Sequence, residues 1–536
     1  MNSTFKSFIK NPILILLAVN ILIGLFIFRD YGLAWDEPYF YSYGDALGYA
    51  YSPANWFSAD FDLNNSYGAS GEDHKTRGPA YLFLARNFVY GLKTLGSDSA
   101  ASWHLVNFLF FQLGIYFLYR ISKRWVDSTA AFATAVLFST QPLLWGHAFI
   151  NPKDPPFLTF FLASVCLGFE LVDKIVDDSL TQKQKIISVI FPATVLGITT
   201  SIRVLGPLAG LLVFIYLVSN LLIQNKNTKA YKSALAIFTG YGALVMLAMF
   251  ITWPYLWENP LANFIHVFRL MSDNPTKLAV LFGGEVYRAG DLPRRYLPFM
   301  LATTLTEPVW ILFIFGLVIS YWKMLSKKLI KTRYFAALTL ILAWFVILMA
   351  YVLLRRPAMY DGFRHFLFIL PPVFIFISFA FEALFEKINK LSISPNWLRA
   401  ALAIAFIAPG ALGIFQLHPY EYAYYNSFVG GTNGVFRQYE TDYWLTCYKE
   451  AVEQLNEKTT ASVNLFVKRE AYVAAPYASK NINVRDLRDA TDQVRPGDYV
   501  LVNTRTNEDR TTFKDAPIVI EIKRGEVKFC IVRQIP

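Results

Sequence analysis

Residues 12–40 read PILILLAVNILIGLFIFRDYGLAWDEPYF. The run from Pro12 to Phe28 is apolar and uncharged, close to the roughly 20 residues that a membrane-spanning helix needs. It follows Lys6 and Lys10, as the core of a signal peptide would, but Arg29 and Asp30 stand where a small-residue cleavage site belongs. We expect an uncleaved signal anchor with its N-terminus in the cytoplasm. Just beyond it come two adjacent carboxylates, Asp36 and Glu37, then Pro38 and a group of aromatics.

Composition points the same way as that first run. Of 536 residues, 55% are hydrophobic, 17% aromatic and 17% charged, against about 25% charged in an ordinary soluble domain. A soluble chain this apolar would expose sticky surface, so an integral membrane protein is expected. The formal net charge of +11 does not imply a nucleic-acid partner. The lysines fall in short segments between apolar runs, not along one continuous face. Cys166 lies within an apolar run and is expected in the core. Cys447 and Cys530 both fall in the C-terminal region, and their spacing does not decide whether they pair.

Eleven spans are expected, near 12–29, 103–121, 129–145, 157–173, 186–200, 203–223, 233–253, 299–322, 335–354, 363–382 and 398–417. Arg203 interrupts the stretch 186–223, which reads either as two tightly turned helices or as one long broken one. With a cytoplasmic start, the inner loops carry Lys123 and Arg124; Lys174, Lys183 and Lys185; Lys226, Lys229 and Lys232; Lys323, Lys327, Lys328, Lys331 and Arg333; and Lys387 and Lys390. Every one is basic, as the positive-inside rule requires. The long loops, about 30–102 and 253–298, then lie outside. No internal repeat or low-complexity tract is visible. From 418 to 536 the chain becomes more polar. CYKEAVEQLNEK reads as an amphipathic helix, and SVNLFV, GDYVLVNT, APIVIEI and EVKFCIVRQ read as strands. The expected fold is an all-α polytopic membrane domain, 1–417, followed by a small α/β extracytoplasmic domain.

The candidate chemistry gathers on the outer side. Pro38 suits the first turn of a helix and Asp36 the position before it, where the helix dipole favours a carboxylate. Neighbours on a helix do not share a face, so Asp36 and Glu37 are expected to differ in role. One accepts a proton from a substrate hydroxyl, and the other binds a hydroxyl or a cation. The alternative is a helix cap with an aromatic belt of Trp35, Tyr39, Tyr41 and Tyr43. GHAFINPKDPPF places His147, Lys153 and Asp154 on another outer loop, either beside Asp36 or as a turn with a local Lys153–Asp154 pair. Arg203, in TTSIRVLGPL, is costly at mid-bilayer and suits an interfacial phosphate. LLRRPAMYDGFRHFLFILPP crowds Arg355, Arg356, Asp361, Arg364 and His365 into one outer loop. FGGEVYRAGDLPRRYLPF adds Glu285, Arg288, Asp291, Arg294 and Arg295. No His-Glu-x-x-His, Walker loop or Cys-x-x-Cys is present, and the short inner loops give a nucleotide no seat.

WDEPYF, HAFINPKDPPF, SIRVLGPL and YDGFRHFLFILPP, in that order through residues 1 to 420, resemble the GT-C membrane glycosyltransferases. They look most like the branch of protein O-mannosyltransferases and bacterial aminoarabinose-transferase-like enzymes. HPYEYAYYNSFVGG and YETDYW look like a bacterial subgroup. The resemblance implies a sugar donor carried on polyprenyl phosphate, Asp36 as acceptor-side base and Glu37 as its partner. It also implies that basic residues among Lys153, Arg203, Arg294, Arg295 and Arg364 hold the carrier phosphate, with His147, Asp154 and His365 in the same substrate site. Some branches use a divalent metal and some do not; with no dedicated ligand set here, no metal or other cofactor is expected. The C-terminal segment departs from the β-trefoil insertions of eukaryotic members, so the acceptor hydroxyl stays open between glycan, lipid and protein. The resemblance places the chain in a bacterial inner membrane, among membrane lipid. The competing reading is a transporter or flippase of a lipid-linked or anionic solute, for which matched halves with broken helices are the usual sign; a polysaccharide polymerase or ligase is a third.

Overall fold

The structure, a computed structural model, describes residues 11–69, 71–272, 276–390 and 395–536. Lys6 and Lys10, on which the orientation of the first span partly rests, lie outside them. Among the described residues, eight helices are long and apolar enough to cross a membrane. Three shorter apolar helices, Pro12–Ile27, Ser128–Ser139 and Pro207–Ile223, stand where further spans are expected. The chain is a polytopic membrane protein. Ile311, Ile314, Val318 and Trp322 project outward from the helix Pro308–Ser326, a pattern suited to lipid and not to water.

Two expected spans are broken by proline. The stretch 129–145 divides into Ser128–Ser139 and Pro142–Ile150. The stretch 299–322 divides into Tyr296–Thr304 and Pro308–Ser326. Pro142 and Pro308 each open the second piece, where a missing N–H leaves no intrahelical bond unmade. The open question at 186–223 resolves into two helices, Ile190–Ile202 and Pro207–Ile223, with Arg203 extended at the corner.

Helices approach closely where side chains are small. The helix Pro308–Ser326 packs along Leu370–Ile388. A Cβ on Gly316 would lie 2.0 Å from the Phe376 carbonyl oxygen. Lipid tails are as apolar as leucine, so such backbone-to-backbone contact is a main source of helix association in a bilayer.

After the helix Pro395–Leu417 the chain builds a five-stranded mixed sheet from β3 (Val463–Val467), β4 (Ile482–Asp486), β5 (Tyr499–Asn503), β6 (Ile518–Arg524) and β7 (Val527–Gln534). Their spatial order is β4-β3-β5-β7-β6. β3 is parallel to β4 and β5, while β7 runs antiparallel to β5 and β6. The helix Cys447–Lys458 buries Cys447, Tyr448, Ala451, Val452 and Leu455, one apolar stripe at helical spacing. Cys447 and Cys530 form a disulfide that ties this helix to β7, while Cys166 is free and buried. The edge strand β4, INVRD, was not expected. Its polar alternation carries too little apolar signal to stand out. In the second long loop, β1 (Ala279–Phe282) and β2 (Glu285–Arg288) form a hairpin. Gly284 N donates to Gln438 O at 2.9 Å, and Phe282 bridges to Tyr439, so the hairpin is fastened to the approach of the sheet domain.

Because the spans alternate in direction, Asp36, Asp154, Arg203 and Arg364 fall at the end of the bundle that carries the sheet domain. The lysine-rich loops fall at the other end, where Arg124 pairs with Asp173 at 2.7 Å and Lys323 with Glu382 at 2.5 Å. One test of the packing compares two glycines. Gly316→Ala should lower thermal stability in detergent by about 1–3 kcal/mol, the usual cost of overpacking. Gly240→Ala, at a helical position with nothing within 4 Å, should leave the midpoint unchanged or raise it.

Candidate functional site

The first helix ends at Ile27, and the chain passes through buried Tyr31, Leu33 and Ala34 before Asp36. The helix Glu37–Ala50 starts there, with Asp36 at its N-cap position and Pro38 in the first turn. The two acids part company at once. Glu37 is fully buried and accepts from Ala34 N at 2.6 Å, from the Tyr41 hydroxyl and from His104 Nε2 at 3.1 Å. Asp36 makes no capping bond; its Oδ2 faces Arg364 Nη2 at 3.1 Å, and its side chain keeps 15% exposure. Successive helical residues point about 100° apart, so one carboxylate is sealed in the core and its neighbour faces the opening.

Arg364 is the hub of the site and is only 4% exposed. Besides Asp36, its Nη2 lies 3.1 Å from Asp361 Oδ2, and its Nη1 lies 3.4 Å from Asp154 Oδ2. Its guanidinium stacks over the Trp444 ring, 4.5 Å to the centroid, and over Tyr360 at 5.1 Å. Asp361 and Gly362 both take positive φ, 55° and 66°. This tight left-handed turn brings the Asp361 carboxylate back onto Arg364 three residues later. Asp154 opens the helix Asp154–Val176 and is held by three partners. Asn151 Nδ2 donates to it at 2.8 Å, Arg203 forms an ion pair with it, and Arg364 completes the set. Asn151 Oδ1 in turn accepts from the backbone N–H of Lys153 and of Asp154. The local Lys153–Asp154 pair therefore does not form.

Lys153 and Arg77 have no carboxylate partner among the described residues. Both stand against the Phe40 ring, at 5.4 and 5.9 Å from its centroid. Burial, with the charges of Arg203 and Arg77, pushes the Lys153 ammonium well below its ordinary range. An anion beside these two cations would relieve that cost.

The sheet domain completes the site. Arg505, just past β5, pairs with Asp361 Oδ1 through Nη2 at 2.7 Å and with Glu440 Oε1 through Nε at 2.9 Å. The Tyr472 hydroxyl donates to Trp35 O at 2.8 Å, and Leu33 N donates to the Tyr477 hydroxyl at 2.9 Å. Trp35 N donates to Trp444 O. Gly32 lies so close to Thr446 O that a Cβ would sit 2.2 Å from it. His147 bonds the Tyr443 hydroxyl at 3.1 Å and Asn151 at 3.3 Å. With Arg364, Gly362 and Tyr443 it lines a cavity of about 10 Å³, room for one water. His365 is half-buried, edge-on to Tyr360.

Of the expected residues, Asp36, Asp154, Arg203 and Arg364 meet directly; Lys153 and His147 adjoin them. Arg294 and Arg295 are exposed, with Arg295 against the Phe282 ring, and among the described residues neither pairs with these carboxylates. Arg77, Arg505 and Tyr472 carry no signal in the sequence, and Glu440 and Trp444 stand out only as part of YETDYW. Among the described residues, no group of three or more His, Cys, Asp or Glu is arranged to hold a metal ion.

The sequence matches no protein-family model, and no curated protein is significantly similar to it. Solved structures are similar in architecture. The archaeal oligosaccharyltransferase AglB from Archaeoglobus fulgidus, in complex with an inhibitory peptide and a dolichol-phosphate, aligns over 94% of this chain and 70% of its own. The TM-score is 0.53 and the identity 12%. Its apo form aligns over 95% and 71%, at TM-score 0.51 and 10% identity. This chain has the GT-C fold. ArnT from Cupriavidus metallidurans aligns over 99% of this chain and 98% of its own, at TM-score 0.49 and 12% identity.

Two predictions follow from the charges. Arg364→Met leaves Asp36 without its cationic partner, and leaves buried Asp154 and Asp361 with only Arg203 and Arg505 respectively; it should cost about 3–5 kcal/mol. In detergent unfolding, that deficit should shrink as pH falls and the carboxylates take up protons. Burial pushes the Glu440 carboxyl up to about 7, outweighing the opposing effect of Arg505. The folded state therefore binds this proton more tightly than the unfolded chain. The group's contribution to stability is full below its ordinary 4.5 and declines as pH rises toward about 7. Glu440→Gln should flatten stability against pH across that window.

Proposed function

We propose that this chain is an integral-membrane inverting glycosyltransferase. It moves a sugar from a polyprenyl-phosphate donor to a hydroxyl acceptor on the extracytoplasmic side of a bacterial inner membrane. One observation carries the reading: the partly open Asp36 carboxylate stands at the edge of a buried ionic network, beside two cations, Arg77 and Lys153, that form no ion pair with a carboxylate among the described residues. The lysine-rich loops at the opposite end of the bundle support an outward-facing site. The archaeal neighbour, solved with a dolichol-phosphate and a peptide, supports a lipid-phosphate donor and a separate acceptor.

In this mechanism Arg364 fixes Asp36 Oδ2. Oδ1, which has no partner among the described residues, takes the proton from the acceptor hydroxyl. The acceptor oxygen bonds to the anomeric carbon as the bond from that carbon to the phosphate oxygen breaks. The electron pair leaves on the phosphate, and the anomeric centre inverts. Arg77, Lys153 and Arg203 hold the phosphate and stabilise the charge that grows on it. Glu37, sealed by His104 and Tyr41, shapes the loop that presents Asp36 and does not touch substrate.

Proteoliposomes loaded with a radiolabelled polyprenyl-phosphate sugar and a panel of glycan, lipid and peptide hydroxyl acceptors test the reading. Asp36→Asn should reduce transfer by about 10²–10⁴-fold while donor binding persists. Arg77→Ala with Lys153→Ala should weaken donor binding by about 10-fold or more, with a smaller effect on turnover. Unchanged transfer in Asp36→Asn would falsify the assignment of the base. Donor crossing the bilayer without transfer would support the flippase instead.

A further inference from the structure

Arg505 enters the site from a different domain, with its guanidinium paired to two carboxylates. Its backbone is fixed just past β5, where its N–H donates to Asn503 Oδ1 at 2.6 Å. From there the side chain crosses the domain boundary. Nε binds Glu440, Nη2 binds Asp361, and the guanidinium faces the Trp35 ring at 5.9 Å. Both ends of the Arg505–Asp361 contact are buried, at 4% and 0% exposure.

The geometry at Arg364 gives this contact a consequence. A single nitrogen, Arg364 Nη2, lies 3.1 Å from Asp36 Oδ2 and 3.1 Å from Asp361 Oδ2. The two carboxylates share its two N–H donors, and the balance of their charges sets which way the guanidinium leans. Asp361 is the buried and covalently nearer of the two, so alone it would draw the guanidinium toward itself. Arg505 takes the other Asp361 oxygen and offsets that charge.

We infer that Arg505 of the sheet domain is a positioning residue for the membrane site: by neutralising Asp361 it leaves the Arg364 guanidinium free to orient Asp36. The inference rests on the transferase reading proposed above. The soluble domain is then part of the active centre and not an appended module. Glu440 sets the aim of Arg505, and Trp35, next to Asp36 in the chain, lies under it. Removing the cation has two effects of known sign. Arg364 shifts off Asp36, and the carboxylates of the network retain protons to higher pH because a neighbouring positive charge is gone.

The test uses the full-length chain in proteoliposomes with the labelled polyprenyl-phosphate sugar. Arg505→Gln should lower turnover by about 10–100-fold with little change in KM for the donor. The acid limb of its pH–rate profile should move up by about 1 unit. Arg505→Lys, which keeps the charge, should restore most of the activity and the original limb. The decisive variant is Asp361→Asn combined with Arg505→Gln. Both members of the buried pair are then neutral, a change that folds often tolerate, and position 361 no longer draws Arg364 from Asp36. It should be more active than Arg505→Gln alone, with its acid limb back near that of wild type. If Arg505→Gln does not fold, the lysine variant and the double variant decide by comparison with wild type. Near-wild-type profiles in both support the role, and a loss in the double variant overturns it. An Arg505→Gln protein with normal turnover, an unmoved acid limb, or a double variant worse than the single one likewise overturns the inference alone. A wild-type protein that transfers no sugar overturns the proposed function, and the inference with it.

Discussion

Burying a guanidinium among carboxylates at a membrane boundary constrains everything around it. Taking an ion out of water costs several kcal/mol even after relaxation, and only close, well-bonded counter-charges offset that. Arg364 meets this requirement with Asp36, Asp154 and Asp361, each from a different segment of the chain. Every one of those segments must be placed accurately for the charge to be tolerated. The proline breaks, the Arg203 corner and the left-handed turn at Asp361-Gly362 are the backbone devices that deliver the groups there.

That same requirement explains which parts of the site were legible in the sequence. A charge inside or beside an apolar run is expensive, so Asp36, Asp154, Arg203 and Arg364 stand out against their surroundings, and all four converge. Arg77, in EDHKTRG, and Arg505, in NTRTNEDR, sit in polar stretches where one more charge carries no signal. Their importance comes from contacts far away in sequence. Arg294 and Arg295 stood out only as part of a charge-rich outer loop, and they face solvent; there an arginine pays no burial cost and reports nothing about a site. The eleven apolar segments were visible because bilayer thickness sets their length, but the positions of the breaks followed from single prolines. Within the sheet, β4 was hidden because an edge strand needs little apolar character.

Asp36 and Glu37 show how a dipeptide that reads as one motif becomes two functions. Helical rotation alone sends one side chain into the core and the other toward the opening. Glu37, fully enclosed by Ala34 N–H, Tyr41 and His104, is part of the packing that fixes the loop. The sheet domain grips that loop from the other side through Tyr472, Tyr477 and Trp444. Tyr472 follows β3 and Arg505 follows β5, so the carboxyl ends of two parallel strands are turned toward the membrane domain. Parallel sheets commonly offer this edge to ligands; here another part of the same chain occupies it.

The hairpin of the second long loop adds a mechanical aspect. Phe282 bridges Tyr439, and Gly284 is bonded to Gln438, while Glu440, the very next residue, steers Arg505. The loop tip is thereby coupled, like the long arm of a lever, to the charge relay at the domain boundary. A molecule that displaced the hairpin from above would transmit its arrival through the peptide bond between Tyr439 and Glu440 to Arg505, and from there to the ions beside Asp36.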